Sequence, residues 1–455
     1  MKYITAKQML LPTGWKNDQQ VGVLPDGTIG YVGPIVSQQT ARVALLLPAQ
    51  VNVHSHSFQR AMSGQTEMRG PIAGDSFWTW RKLMYRFLDH LSPDHVEAIA
   101  KLVFMEMLEA GYASVVEFHY LHHGVRGVPY QNRAELCERI VAAAQSVGIG
   151  LTLLPVLYQY GGCDGRPLAG GQQRFHNTSD TYEMLFEAAK TAVGQGCDDF
   201  NLGVAPHSLR AVDHAGLALL SELYPDGPVH MHLGEQLAEV EEVQEHLGAR
   251  PVNWLLDNHD VDPRWCLIHC TQMTPRETSA LAKTGAVAGL CPITESNLGD
   301  GIFDGVSYLN DKGRFGIGSD SNVHISLFDE LKTLEYSQRL RDHSRAALAS
   351  TGQSTGRVLY GNSLAGGAQA SQRNSGQIAV GMLADMTGIE TNNQWLCDRY
   401  GDVVLDSLIF GGQGQRCITD VWSAGRHVVK QGQHSQRGAI VRSYQKALAQ
   451  LPADI

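Results

Sequence analysis

The sequence predicts an α/β fold: a TIM-like (β/α)8 barrel joined to a small β-sandwich domain built from both chain ends. Three observations carry this. Between about residues 92 and 320, helical stretches alternate with short apolar runs, the pattern of a parallel sheet with helical crossovers. Those runs end repeatedly in histidine or an acid, and a barrel places its chemistry at the strand C-termini. The first 45 residues and those beyond about 370 share another texture, of short glycine- and valine-rich strands. An open doubly wound sheet is the runner-up, but no glycine-rich dinucleotide fingerprint follows the first strand. The expected division is 1–47 plus 372–438 for the small β domain, 48–371 for the barrel and 439–455 for a C-terminal helix.

Near the start, Pro25-Asp26-Gly27 marks a turn, and Gly30 and Gly33 punctuate the next run. The apolar run from Leu45 to Val53 reads as one strand ending in His54-Ser55-His56. An aromatic-rich segment, Ser76 to Tyr85, follows. Ser92-Pro93-Asp94 opens a helix with an N-cap, a proline at the first position and an early acid, and Gly111 ends it. Strand Ser114–Phe118 leads into His119-Tyr120. Helix 133–146 precedes strand Gly150–Leu157, and helix 180–193 precedes strand Phe200–Ala205, which ends in Pro206-His207. Helix 213–224 leads to Val229–His232. Helices 237–247 and 251–257 lead to Trp265–His269. Thr274-Pro275-Arg276-Glu277 is a capping box. Its helix leads to Ala286–Leu290, and Phe315–Ser319 ends in Asp320. Beyond a loop at Ser371–Gly376, Asp402–Leu405 and Val421–Val429 read as short strands.

The 455 residues, 43% hydrophobic with a mean hydropathy of -0.18, suffice for a large core. The net charge of -10 and the lack of a basic block argue against nucleic acid or an anionic membrane as partner. A small anionic substrate stays compatible, because a few arginines can reverse the field in one pocket. The N-terminus lacks the apolar core of a signal peptide, and no apolar run is long enough to span a bilayer. None of the eight cysteines forms C-x-x-C, as expected of small buried residues in a reducing cytoplasm.

The candidate chemistry lies at the strand ends. On a strand, residues i and i+2 point to one side, so His54 and His56 present two imidazoles together. His232, His269 and Asp320 end three later strands. Neutral imidazoles with a carboxylate suit Zn2+ or another borderline divalent ion. Glu235, three residues after His232, could shuttle protons past that ion. It could equally be an early acid of the helix at 237–247.

The order H-x-H, H-x-x-E, H, D resembles the mononuclear branch of the amidohydrolase superfamily, and Gly381-Met382-Leu383-Ala384-Asp385 is similar to that superfamily's C-terminal β segment. No lysine ends the strand Leu154–Tyr158, taken as the fourth, so one metal is expected and not two. Within the branch, nearly the whole chain resembles the iminohydrolases of bacterial histidine breakdown. The carriers are His54-Ser55-His56-Ser57-Phe58-Gln59-Arg60-Ala61-Met62, Phe77-Trp78-Thr79-Trp80-Arg81, Glu117–His123, Ala205-Pro206-His207-Ser208-Leu209-Arg210 and Ser319-Asp320-Ser321-Asn322. Pro48-Ala49-Gln50 departs from the usual Pro-Gly. The resemblance implies one Zn2+ per subunit, held by His54, His56, His232 and Asp320. It implies Glu235, His269 and Asp320 as catalytic residues. Gln59, Arg81, Tyr120, His207 and Arg210 would bind a small dicarboxylate, N-formimino-L-glutamate, which is hydrolysed to N-formyl-L-glutamate and ammonia in the cytoplasm by a homodimer. His119, His122 and His123 fall near the site without a role. The alternatives are a purine or pyrimidine deaminase on the same scaffold and a catalytically inactive metal-binding barrel.

Overall fold

A computed structural model describes residues 1–67 and 77–452. Ser76 of the aromatic-rich segment lies outside the described residues. The barrel strands are Gln50–Ser55, Tyr112–His119, Gly150–Leu157, Asn201–Leu202 with Ala205–Pro206, Val229–Leu233, Trp265–His269, Val287–Leu290 and Arg314–Ile317, all paired in parallel. Asn52 pairs with Ile317 on one side of the ring. A parallel bridge from Val204 to Val229 joins the fourth strand to the fifth and closes it. The (β/α)8 reading is thus correct.

Strands enclosed by helices are buried on both faces and so read as continuous apolar runs. Every residue of Tyr112–His119 and Gly150–Leu157 is buried. The helix signals sit where expected. Ser92 Oγ accepts the His95 N–H at 3.3 Å, starting helix Pro93–Glu109, and Gly111 leaves it with φ 94°. Thr274 and Glu277 make the reciprocal capping box, at 3.3 and 2.8 Å.

Three readings are corrected. The run Leu45–Val53 is two strands, Thr40–Pro48 and Gln50–Ser55. The first pairs in the small sheet with Met386–Ile389, and the second joins the barrel. Between them the Ala49 N–H donates to Asp385 O at 3.0 Å. Apolarity alone cannot reveal a change of partner. Asp402–Leu405 belongs to a helix, Asp402–Phe410, not a strand. Its buried residues Val404, Leu405, Leu408 and Ile409 recur with helical spacing, visible only past residue 405. Val421–Val429 is a hairpin turning at Ala424-Gly425, both with positive φ (42° and 72°) as a type I′ turn requires.

Both chain ends supply a second, mixed sheet, ordered Gln433–His434, Arg426–Lys430, Ile418–Ser423, Met386–Ile389, Thr40–Pro48, Lys2–Leu11, Gly14–Val23 and Ile29–Pro34. A bridge from Thr28 to Leu383 folds its outer strand back over this layer. A core of its own, including Ile4, Met9, Val21, Leu46, Met386 and Trp422, fills the space. Among the described residues no helix is long and apolar enough to cross a membrane.

A buried ion-pair chain ties this sheet to the barrel. The Arg373 guanidinium donates to both Asp385 oxygens (2.7 and 3.1 Å) and to Asp199 Oδ2 (2.7 Å), just before the fourth strand. Arg426 grips the other side of Asp199 at 2.7 and 2.8 Å. Burial alone would raise the Asp199 pKa, but the two guanidiniums outweigh it and hold the carboxyl below its ordinary value. A folded pKa below the unfolded one gives stability that is present at neutral pH and lost as pH falls through the folded value. Asp199→Asn should destabilise the chain by about 3 kcal/mol at pH 7. The gap to wild type should shrink below about pH 4, as followed by denaturant melts across pH.

Candidate active site

The first and eighth strands are stitched together where the site begins. Asn52 Nδ2 donates to Ser319 Oγ at 2.6 Å, while its Oδ1 accepts the N–H groups of Ser319 (3.1 Å) and His54 (3.3 Å). The Asp320 N–H donates to His54 O at 2.9 Å, and the His56 N–H to Asp320 O at 2.9 Å. Gly318 makes this close approach possible, since a Cβ there would lie 2.8 Å from the His54 backbone. Asp320 turns the chain with φ 46° and aims its carboxylate at the two histidines.

Four predicted ligands converge. His54 Nε2 lies 3.1 Å from Nε2 of both His56 and His232. Asp320 Oδ1 lies 3.4 and 3.3 Å from the His54 and His56 nitrogens. Tetrahedral ligands at zinc bond lengths stand roughly 3.3–3.4 Å apart, so these contacts suit a divalent metal; donor atoms of His54, His232, His269 and Asp320 also lie within 4.8 Å of one another, which makes His269 a further candidate ligand. Carbonyl groups fix the ring orientation: His56 Nδ1 meets Phe118 O and His232 Nδ1 meets His207 O, each at 3.0 Å. That commits the protons to Nδ1 and leaves Nε2 lone pairs facing one another, an arrangement a cation satisfies. Burial, reinforced by His56, holds the His54 pKa down to about 3, and burial also lowers those of His56 and His232. Burial would raise the Asp320 pKa, but its hydrogen bond and charge coupling to His54 keep it below the carboxylate range.

His269 is different. Its Nε2 lies 3.7 Å from Glu235 Oε1 and 3.9 Å from Asp320 Oδ2, and its Nδ1 lies 3.3 Å from Glu295 Oε1. Burial opposes protonation, yet these carboxylates raise the His269 pKa well above the usual value. Burial, with Asp320 adding, pushes Glu235 up to about 7. The alternative role for Glu235, a helix-start acid, is filled by Glu239, whose carboxylate accepts the Gly234 and Glu235 N–H groups at 3.0 and 2.9 Å. Glu235 points into the cavity instead.

That cavity gathers the five predicted substrate residues, Gln59, Arg81, Tyr120, His207 and Arg210, around His56, His232, Glu235, His269 and Asp320. Arg81 and Arg210 are buried at 8% and 6% exposure, so neither is the surface arginine its position in the sequence would also allow. Gln59 Nε2 donates to the Tyr120 hydroxyl at 2.7 Å. Tyr158, missed from sequence, accepts from Arg81 Nη2 (2.6 Å) and Gln172 Nε2 (3.2 Å). Two accepted bonds leave its own proton for a third partner, and it lines the same cavity.

Glu295 and Asp300 were also missed. Burial and then Glu235 push Asp300 up to about 9. Both lie beyond the end of the seventh strand, Glu295 on the helix Pro292–Leu298 and Asp300 after it, so a search for acids at strand ends passes them by. The strand Gly150–Leu157 is the third barrel strand, not the fourth; the fourth ends at Pro206 and leads into His207, also without lysine. His119, His122 and His123 are not among the described residues lining the cavity. His119 and His122 are buried beside Cys137, and His123 bonds His176 O at 2.7 Å.

A barrel with a histidine–aspartate metal cluster at its strand C-termini defines a metal-dependent hydrolase scaffold. The family model of the Amidohydrolase family matches residues 45–428, and the chain belongs to that family. It is 45% identical to a formimidoylglutamate deiminase of Pseudomonas aeruginosa, over 99% of this chain and 100% of that one. A crystal structure of an amidohydrolase from Brucella melitensis matches with a TM-score of 0.94 and 44% identity over 99% of both chains. An adenosine deaminase from Xanthomonas campestris, solved with bound zinc, shares the fold at a TM-score of 0.79 and 21% identity, over 99% of this chain and 98% of that one.

Two substitutions test the metal cluster. His232→Ala removes a donor, and Gly318→Ala forces His54 away from Asp320. Each should weaken divalent-metal binding by roughly tenfold or more, measured by chelator competition.

Proposed function

We propose that this chain is a zinc-dependent iminohydrolase that converts N-formimino-L-glutamate to N-formyl-L-glutamate and ammonia in histidine degradation. It would hold one zinc per subunit and act as a cytoplasmic homodimer. The observation that carries this reading is the pairing of two buried arginines with the histidine–aspartate cluster in one cavity. The end-to-end identity with the Pseudomonas aeruginosa deiminase supports it. A substrate with two carboxylates and an amidine-like carbon matches both halves of that cavity. Guanidinium groups bind carboxylates bidentately. A nucleobase would place an uncharged ring against both cations.

Zinc, when bound, lowers the pKa of water and polarises the imino carbon's surroundings. Arg81 and Arg210 take the two carboxylates and set the amidine carbon beside Asp320 and Glu235. Tyr158 turns its remaining proton toward a carboxylate, while Gln59, Tyr120 and His207 complete the lining. Asp320, ionised, accepts a proton from the attacking water. Glu235, with a pKa near 7 from burial, protonates the imino nitrogen. The cationic His269 stabilises negative charge as the tetrahedral carbon forms. As the C–N bond breaks, the proton held by Asp320 passes to the departing nitrogen and the hydroxyl proton passes to Glu235, so that ammonia leaves N-formyl-L-glutamate with Asp320 ionised and Glu235 protonated again.

The experiment is ammonia release by zinc-loaded protein from N-formimino-L-glutamate, against guanine, cytosine and adenosine. Turnover of the formimino substrate alone is expected, and turnover of a nucleobase instead would overturn the substrate assignment. Arg210→Met should lower kcat/KM by about 10–100-fold, and Tyr158→Phe by less, because a charge-assisted bond contributes roughly 1.5–3 kcal/mol. Glu235→Gln should reduce kcat by about 10²–10⁴-fold while metal stays bound, and near-normal turnover would remove its proton role.

A further inference from the structure

One buried acid beside this machinery has no task in the chemistry above. Glu295 is 5% exposed, on the short helix Pro292–Leu298 that follows the seventh strand. Its Oε1 accepts the Cys291 N–H at 2.9 Å and lies 3.3 Å from His269 Nδ1. The opposite edge of the same ring, Nε2, faces Glu235 and Asp320 at 3.7 and 3.9 Å.

An imidazole whose Nδ1 meets a carboxylate must carry its proton there. The other edge is thereby the one turned to the reacting centre. The torsion that would exchange the two edges is broad and offers little resistance of its own. Something must therefore select one orientation. The backbone beneath is already restrained: His269 and Cys270 both have positive φ, 69° and 52°, a conformation that non-glycine residues adopt only when their surroundings hold it. The Cys270 N–H donates to Leu233 O at 3.1 Å and to Ile268 O at 3.0 Å, anchoring the turn. With the main chain held, the ring flip is the freedom left to remove, and Glu295 stands at the atom that removes it.

We propose that Glu295 is a positioning residue: it binds His269 Nδ1–H and so keeps the Nε2 edge turned to Glu235 and Asp320 during hydrolysis. The reaction named here rests on the function proposed above; the ring geometry does not. The competing role is a helix cap that merely satisfies the Cys291 N–H. A cap would change stability and leave the kinetic split untouched.

The test compares zinc-loaded wild type, Glu295→Ala and Glu295→Gln by steady-state kinetics on N-formimino-L-glutamate, by metal content and by long-range 1H–15N spectra of the histidine rings. His269→Asn assigns the His269 signals. The expected result is a Nδ1-protonated His269 in wild type and a displaced signal in both variants. Glu295→Ala should lower kcat about 10–100-fold with KM within about threefold of wild type and metal retained. Glu295→Gln should fall between, since its carbonyl oxygen still accepts a hydrogen bond. Lowered melting temperature with unchanged kcat and unchanged His269 signals overturns the positioning role and leaves the cap. If Glu295→Ala does not fold, Glu295→Gln decides alone: kcat within about twofold of wild type and an unmoved signal refute the proposal. A wild type inactive on this substrate overturns the functional reading, and the ring spectra then decide the role of Glu295 separately.

Discussion

The site depends on how the first barrel strand meets the eighth. Their regular pairing is brief, Asn52 against Ile317 with a further bridge from Ser55 to Asp320. A buried amide compensates, since Asn52 holds Ser319 by side chain and backbone and steadies the His54 N–H as well. Through this contact, residues 264 or more positions apart in the chain bring their donors within 3.4 Å of one another. A polar group buried this way is favourable only when its partners are all in place, so the seam tolerates one register.

The cluster also separates charge by environment. Two histidines, His56 and His232, sit where carbonyl groups take their Nδ1 protons, and burial lowers the pKa of both and of His54. A fourth, His269, a few ångströms away, faces carboxylates that raise its pKa against the effect of burial. The same side chain thus meets two electrostatic settings within one cavity, its pKa lowered in one and raised in the other. Glu235 and Asp320 divide similarly, one pushed up by burial and the other held ionised by histidines. Paired groups driven apart in pKa are what acid–base chemistry at neutral pH requires.

Much of this was legible in the residues themselves. H-x-H at a strand end, the capping box at Thr274 and the alternation of helix with apolar run are local signals, and local chemistry decides them. The candidate metal ligands followed from the ends of those runs, and the five residues that line the cavity from family resemblance. What stayed hidden depends on partners far away in sequence. Leu45–Val53 looks continuous because a strand changing sheets at Ala49 remains apolar throughout. Asp402–Leu405 looks like a strand because Val403-Val404 favours one, until burial of Leu408 and Ile409 selects the helix. Tyr158 hides in an apolar strand end, and its task appears only when Arg81 and Gln172 are seen to donate to it.

The small sheet places Thr40–Pro48 between Lys2–Leu11, near the beginning of the chain, and Met386–Ile389, near the end. That order has a consequence for biosynthesis. As the polypeptide leaves the ribosome, the early strands present an unpaired edge that finds its partner only after the whole barrel has emerged. An open edge invites association with other nascent chains, and pairings between distant segments form slowly. Arg373 and, 12 residues later, Asp385 emerge just before that partner strand, so the buried clamp on Asp199 can engage as the missing strand arrives. The vulnerable interval thus spans most of translation, and it ends in the span of a few residues.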